Sequence, residues 1–518
     1  MLVGGSGTER DLSRPPSRVP LSERLSTNVK AIKALLGESP DVEIRLLEAG
    51  VDRTPIAVVY TSGIVDTRRV NQFVDHFLQK DTTLTSDPSA FAYVKACVMA
   101  SGEAKTIRDR DSAVLSILSG ETVVFVHGSD EAVAFDTRGG DKRHVEEPSS
   151  QVVIRGPKEG FTESIGTNVA LIRRRIRTPN LRLELVKIGR QTQTDVCMMY
   201  IEGIADDGVV RSIRKRLRAI DTDAVLGSGY IEQMIEDFEL TPFPTIYNTE
   251  RPDSVAGNLL EGRVAIVVDG TPFVLVAPVT FFMFFQATED YYQRPIAATA
   301  IRLLRYGAFL ISLFGPSIYV AAITFHQEMI PTQLLVSLAA QRESVPFPAL
   351  IEVLVMEITF EILREAGIRM PRAIGQAVSI VGALVIGQAA VEAGIISPAM
   401  VIVVSITGIS SFSTPSYDMA LAIRLLRFSV IMSAAILGFY GIAIVSIIIL
   451  GHMCGLRSFG VSYMAPLSPF VTSDHKDTFL RLPFRSMFTR PRLIASRNTV
   501  RQSTDAGDRR DGEGGSSP

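Results

Sequence analysis

Two hundred consecutive positions, 264–463, carry only 21 charged side chains and not one lysine, whereas the other 318 residues carry 87. Charged side chains are the costliest groups to place in hydrocarbon, so a stretch this depleted marks a chain that enters a bilayer. The whole-chain figures hide that division. With 46% hydrophobic and 21% charged residues, disorder of the whole is excluded. A net charge of −2 gives no basic surface for nucleic acid, and no nucleic-acid partner is expected. Cys97, Cys197 and Cys454 are too few and too far apart for a closed disulfide framework or a four-cysteine metal site. At about 100–200 residues per unit, the length suggests three or four units.

Five uncharged or nearly uncharged runs approach the roughly 20 residues needed to cross a bilayer. Tyr306–Phe325, Ala373–Val391, Ala393–Tyr417 and Phe428–Leu456 are firm expectations. Gly270–Thr288 holds Pro272 and Pro278 and continues a hairpin, which suits an interfacial or re-entrant segment. Pro348–Ala366 is apolar on one side but contains Glu352, Glu357, Glu361 and Glu365. Beyond the last run, Lys476, Arg481, Arg485, Arg490, Arg492, Arg497 and Arg501 form a basic flank, which favours the cytoplasmic side and an even number of spans. Arg424 and Arg427, just ahead of the last run, weigh against that orientation.

Residues 21–263 read as soluble, and the polar Gly/Pro-rich head before them lacks a secretory apolar core, so this part is expected in the cytoplasm. It contains an internal repeat. Ile56-Ala-Val-Val-Tyr60-Thr-Ser-Gly63-Ile64-Val-Asp66 corresponds to Val196-Cys-Met-Met-Tyr200-Ile-Glu-Gly203-Ile204-Ala-Asp206, 140 residues on. Leu118-Ser-Gly120 and the apolar run to Gly128 correspond to Leu260-Glu-Gly262 and the run to Gly270, 142 residues on. Two matches at nearly one offset indicate duplication. Each copy reads as strand, turn, strand, helix, further helix and hairpin, with Gly128 and Gly270 at the hairpin turns. The lobes read either as a ligand-sensing pair or as a docking scaffold, and the repeat alone favours docking.

The expected fold is therefore an α/β soluble domain of two tandem similar subdomains, followed by an all-α polytopic transmembrane bundle of four firm spans plus one or two partial or re-entrant helices. The divisions are a head over 1–20, subdomains over 21–140 and 150–263, the bundle over 264–463, and a basic then disordered tail over 464–518.

No phosphate loop, nucleophile elbow, zinc-protease pair or dinucleotide fingerprint is present, so neither an enzyme nor a cofactor is expected. The carboxylates of the oily half carry more information. Glu357, Glu361 and Glu365 recur every four residues and share one helical stripe. In a ring of chains such a stripe would line a cation-attracting pore or vestibule. Alternatively, Arg364, Arg369 and Arg372 neutralise it at the membrane surface. Gly375, Gly382, Gly387 and Gly394, with Ala377, Ala383, Ala389 and Ala390, suit close helix packing or a narrow pore wall. Gly315-Pro316 suggests a kink in the first long span.

Several strings carry a resemblance: Arg155-Gly-Pro-Lys-Glu-Gly160-Phe-Thr-Glu-Ser164, Leu171-Ile-Arg-Arg-Arg-Ile176, Leu259-Leu-Glu-Gly-Arg263, Phe325-His-Gln-Glu328, Met356-Glu-Ile-Thr-Phe-Glu361 and Leu363-Arg-Glu-Ala-Gly367. Together they resemble the GerA spore germination family, which includes germinant-receptor A subunits and stage V sporulation protein AF, over about residues 22–470. The resemblance implies a multi-pass protein of the spore inner membrane with its soluble domain facing the core. It further implies a ring-forming homo-oligomer that opens as a ligand-gated cation channel, with a transporter-like B subunit, a lipoprotein C subunit and the lipid bilayer as partners. On that basis Glu357, Glu361 and Glu365 are the candidate pore residues. Arg155, Glu159, Glu163, Asn168, Arg173, Arg174 and Arg175 form a candidate subunit-contact motif, against which stands a solvated helix face with Glu159 and Glu163 as local partners. Three adjacent arginines on a helix point in different directions and cannot share one partner. A non-conducting scaffold and a solute transporter are the competing readings, although no inverted repeat is evident within 270–456.

Overall fold

The computed structural model describes residues 19–49, 53–79, 90–101, 104–139, 146–148, 150–369, 387–495 and 498–502. The first lobe runs α1 (Leu25–Leu35), β1 (Val42–Ala49), β2 (Thr54–Thr61), α2 (Thr67–Gln79), α3 (Ala90–Ser101), β3 (Ala104–Ile107), α4 (Arg110–Leu118), β4 (Glu121–Val126) and β5 (Ala132–Asp136). The second runs α5 (Ile165–Arg175), β6 (Leu181–Ile188), β7 (Thr194–Ile201), α6 (Asp207–Ala219), α7 (Ser228–Ile235), β8 (Tyr247–Thr249), α8 (Pro252–Leu260), β9 (Val264–Val268) and β10 (Val274–Ala277). Each lobe holds one five-stranded antiparallel sheet. The orders are β1-β2-β4-β5-β3 and β6-β7-β9-β10-β8, the same path walked twice. The duplication read from two short matches thus extends to every element, including a leading helix and an edge strand that the strings did not announce.

Both faces of each sheet are covered, which is why the central strands are uninterrupted apolar runs rather than alternating ones. Ile56, Val58 and Tyr60 pack under α2 and α3, whereas Ala57 and Val59 pack under α1 and α4. Val196 and Met198 face α6 and α7, while Cys197 and Met199 face α5 and α8. Asp109 and Asp206 cap α4 and α6, each accepting a hydrogen bond from a backbone N–H of the first turn. Gly128 and Gly270 close the β4–β5 and β9–β10 hairpins with φ of 82° and 83°, a region that side-chain-bearing residues adopt at a cost.

Strands β9 and β10 lie beyond residue 263, where the sequence had placed the end of the second lobe. Gly270–Thr288 is accordingly no bilayer segment. It is the turn and last strand of that sheet, followed by a 3-10 turn, Phe281–Phe285, whose five side chains are all buried. A strand buried on both faces and an aromatic turn are as free of charge as a spanning helix, and hydropathy does not distinguish them.

The helical region comprises α9 (Pro295–Thr324), α10 (Thr332–Arg342), α11 (Ala349–Arg369), α12 (Pro398–Ser411), α13 (Tyr417–Leu437) and α14 (Phe439–Gly455). Among the described residues α9 and α13 are long and apolar enough to cross a membrane, and α12 and α14 are apolar but shorter. Tyr306–Phe325 falls in α9, which contains Pro316 within its length, and Ala393–Tyr417 holds α12. Residues 373–386 of the expected span Ala373–Val391, with Gly375, Ala377, Gly382 and Ala383, lie outside the described residues, as do Arg372, Arg497, the head over 1–18 and the tail over 503–518; residues 387–391 are helical.

Phe428–Leu456 is two helices rather than one span. The chain reverses at Gly438, whose φ is +61° and where a Cβ would come within 2.6 Å of the His326 ring at the end of α9. Arg424 and Arg427 lie inside α13 instead of ahead of it. The base of α9, the start of α13 and the end of α14 all adjoin the second lobe, and one core runs from Cys197 and Met199 through Phe281–Phe285 to Leu313, Met419 and Met453. From Tyr463 onward the basic flank folds back. Arg490 Nε donates to the Leu260 carbonyl at 2.8 Å, and Arg501 pairs with Glu261 at 2.9 Å. Arg490 and Arg501 are therefore engaged at the end of α8.

Candidate functional site

Helix α5 carries the arginine cluster, and its three side chains take three courses. Arg173 is 1% exposed; its Nε donates to Asp41 Oδ2 at 2.8 Å and its Nη2 to Ser39 Oγ at 2.9 Å, both in the first lobe. Arg174 Nη2 reaches the Gly139 carbonyl at 2.9 Å, also in the first lobe. Arg175 turns back to Glu159 at 2.9 Å. Asn168 is buried and closes a local loop, accepting from the Thr162 N–H at 2.8 Å and donating to its carbonyl at 2.6 Å. Arg155, Glu159 and Glu163 stay exposed. A solvated face describes only the outer part of the motif. Its inner part is an intrachain joint between the lobes, and the partners Asp41 and Ser39 carry no signal of that role in the sequence.

Beside this joint lies a cavity of about 450 Å³ lined by Asp66, Thr67 and Arg68 at the start of α2, by Ser164, Gly166 and Thr167 at the start of α5, and by Arg174. Two helix starts open onto one space between two lobes, with the Arg68 N–H already donating to Asp66 and the Ile165 N–H to Asp269. With Asp66 and Arg174 both in its lining, such a space suits a small polar molecule. Among the described residues no group of three or more His, Cys, Asp or Glu side chains is placed to hold a metal ion.

In the helical region the carboxylates of α11 do not form a uniform stripe. Glu352 is buried; its Oε2 accepts from the Ser397 N–H at 3.0 Å and hydroxyl at 2.9 Å, and Arg342 lies 3.1 Å from its Oε1. Glu357 is buried and accepts from Arg427 Nη1 at 2.6 Å, while Arg427 Nε and Nη2 donate to the carbonyl and hydroxyl of Ser312 on α9. Three helices thus share one guanidinium. Glu361 pairs with Arg364 one turn along and with Arg424 of α13 at 3.2 Å. Glu365 pairs with Arg369 at 2.6 Å. Exposure rises along the helix, from 1% for the Glu357 side chain to 29% for Glu361 and 57% for Glu365. Arg364 and Arg369 lie beside Glu361 and Glu365 on the same helix, but the three pairs that bridge helices use Arg342, Arg424 and Arg427. Charges in a low-dielectric interior persist only when paired, and each of these is, although Glu357 Oε1 and Arg364 Nε have no hydrogen-bond partner among the described residues.

Residues 30–493 match the family model described as Bacillus/Clostridium GerA spore germination protein. Spore germination protein KA of Bacillus subtilis (strain 168) is 50% identical, covering 96% of this chain and 91% of that protein. Spore germination protein B1 of the same strain is 39% identical over 92% of this chain and 99% of its own length. Spore germination protein GerLA of Bacillus cereus is 38% identical over 91% and 96%. Among solved structures, the N-terminal domain of the A subunit of the Bacillus megaterium spore germinant receptor GerK3 is 44% identical, covering 51% of this chain and 98% of that one with a TM-score of 0.42.

Proposed function

The chain belongs to the GerA spore germination family, and from that premise we propose that it is the A-type membrane subunit of a nutrient-germinant receptor, whose opening as a cation channel starts germination. In this reading the helical region crosses the spore inner membrane, and the lobes face the core. Several copies form a ring, and a transporter-like B subunit and a lipoprotein C subunit complete the receptor. That α9 leaves from the second lobe and α14 returns to it supports an even number of crossings.

The observation that carries the channel reading is the gradient along α11. Glu357 is consumed inside the chain, whereas Glu361 and Glu365 keep exposed carboxylate surface on a helix set among apolar ones. A ring of such surfaces attracts cations. The cavity between the lobes offers a place where a small ligand could bias the joint. The test is conductance of the full chain in planar bilayers. Cation-selective current that loses selectivity in the Glu361→Gln, Glu365→Gln double variant supports the reading, and unchanged selectivity removes these residues from the pore.

A second reading, a non-conducting scaffold that recruits germination proteins through its lobes, is favoured by one fact: both exposed glutamates already have an arginine partner. A chain that stays monomeric in detergent and carries no current would decide for it.

A further inference from the structure

Helix α7 buries Ile231 and Ile235 against the second sheet, which accounts for one face. On its outer side Tyr230 and Met234 are exposed, and so are Leu226 just before the helix and Phe238 and Leu240 just after it, all between 44% and 92%. Five large apolar side chains exposed on one short helix and its two flanks mark a surface that something covers.

The position of the patch identifies the cover. Thr241 Oγ1 lies 2.9 Å from His452 Nε2, and the Phe238 ring sits 6.3 Å from the His452 ring, edge-on. His452 belongs to the last turn of α14, and the turns before it present Ile444, Ile447, Ile448 and Leu450 outward. The exposed residues around α7 therefore adjoin the last turn of α14, whose preceding turns present apolar side chains outward. We propose that the outer face of α7 inserts into the headgroup region of the bilayer and docks the second lobe on the lipid surface. The inference rests on the reading that α14 lies in the membrane.

The chemistry specifies how the lipid is held. From residue 219 to residue 250 there is no lysine or arginine, so lipid phosphate offers no attraction and the contact is made by apolar insertion. Two of the carboxylates interspersed with the patch are partly buried in the protein beneath it, while Glu239 stays exposed. Glu232 and Glu236 turn inward toward Asn248 of β8 and Asp418 of α13, beside Asp237 and Glu239, and burial with those like charges pushes Glu232 up to about 8 and Glu236 up to about 7. Arg216 of α6, the nearby cation, is engaged by Asp237 and stacked 4.6 Å from the Phe459 ring. Tyr230, with an apolar ring and a polar tip, is a residue type enriched at such depths.

The test uses the full chain with Cys454→Ser, which removes the exposed thiol and leaves buried Cys97 and Cys197. Single cysteines at Tyr230, Met234 or Phe238 carry an environment-sensitive fluorophore, with Ile447 as the bilayer control and exposed Leu185 of β6 as the water control. In phosphatidylcholine vesicles, with or without phosphatidylglycerol, the α7 labels are expected to shift to the blue and to lose emission to headgroup-attached nitroxide lipid but not to aqueous iodide. Loss to iodide at all three α7 positions, while the Ile447 label is quenched by lipid, overturns the docking alone. Shielding from both quenchers means that protein covers the patch, and also overturns it. An Ile447 label open to iodide overturns the membrane reading of α14 together with this inference.

Discussion

Arg427 on α13 and Glu357 on α11 are separated by 70 residues in the chain and by 2.6 Å in space, and each side chain is only 1% exposed. Removing one partner leaves the other charged and buried, a loss of about 3–5 kcal/mol. Arg427→Ala is therefore expected to unfold the helical region at markedly lower temperature in detergent. The double replacement Arg427→Met with Glu357→Leu should recover much of that loss, because an apolar pair needs no partner. Equal melting of the Arg427→Ala chain and the unmodified chain would show that the pair is not a structural tie.

The joint between the lobes has the same logic on the soluble side. Arg173 is held by Asp41 and Ser39 across the lobe boundary. Arg173→Ala should weaken lobe docking by about 3–5 kcal/mol without unfolding either sheet. Amide exchange should rise along α5 and at the start of β1 while β4 and β9 stay protected. Uniform protection in the variant would argue that the lobes are held by other contacts.

The junction between α7 and α13 gives the chain a pH dependence of definite sign. Burial, together with Asp418 and neighbouring carboxylates, raises Glu236 to about 7 and Glu232 to about 8. Both bind their protons more tightly folded than unfolded, so their contribution is fully present below about 4.5 and is lost as pH rises through 7 and then 8. The full chain should melt lower at pH 9 than at pH 6. Glu232→Gln with Glu236→Gln should flatten that slope, and an unaltered slope in the double variant would assign it to other groups.

At the base of α9, Arg302 is fully buried between Asp290, at 3.2 Å, and Asp477, at 3.1 Å, and Tyr291 donates to Asp477 at 2.8 Å. Asp477→Ala leaves two buried donors with fewer acceptors, a loss of about 1–3 kcal/mol for each one left unsatisfied. The expected readout is faster proteolysis within residues 464–502. An unchanged cleavage pattern would show that the returning segment is held elsewhere, for example by Arg490 and Arg501.

How far the sequence revealed this molecule depended on the kind of signal. The lobes were legible because duplication preserves both residue identity and spacing, so Tyr60 with Gly63 and Tyr200 with Gly203 announce one plan twice. The reversal at Gly438 was not, since apolar residues lie on either side of it and hydropathy has no term for direction. Val274–Ala277 and Phe281–Phe285 passed for a bilayer segment for a related reason: complete burial in a lobe and immersion in lipid select the same side chains. The ion pairs were half legible. Charges in an apolar run are visible, but which arginine meets which glutamate is fixed by helix packing, and Arg427 reached Glu357 instead of marking a membrane edge. Asp41 and Ser39 look like ordinary turn residues until α5 is laid across them.

The returning C-terminal segment has a mechanical consequence. Arg490 and Arg501 are anchored at the end of α8, immediately before β9, which pairs with the strand leading on toward α9. The entrance and the exit of the helical region are therefore fastened to the same few residues of one lobe, closing a loop in the chain's own contacts. The same lobe also holds the start of α13, through Asn248 and Asp418, so three helices of the region are tied to it. Further in, the guanidinium of Arg427 fastens α13 to both α9 and α11, so the tie at the lobe is repeated within the bundle.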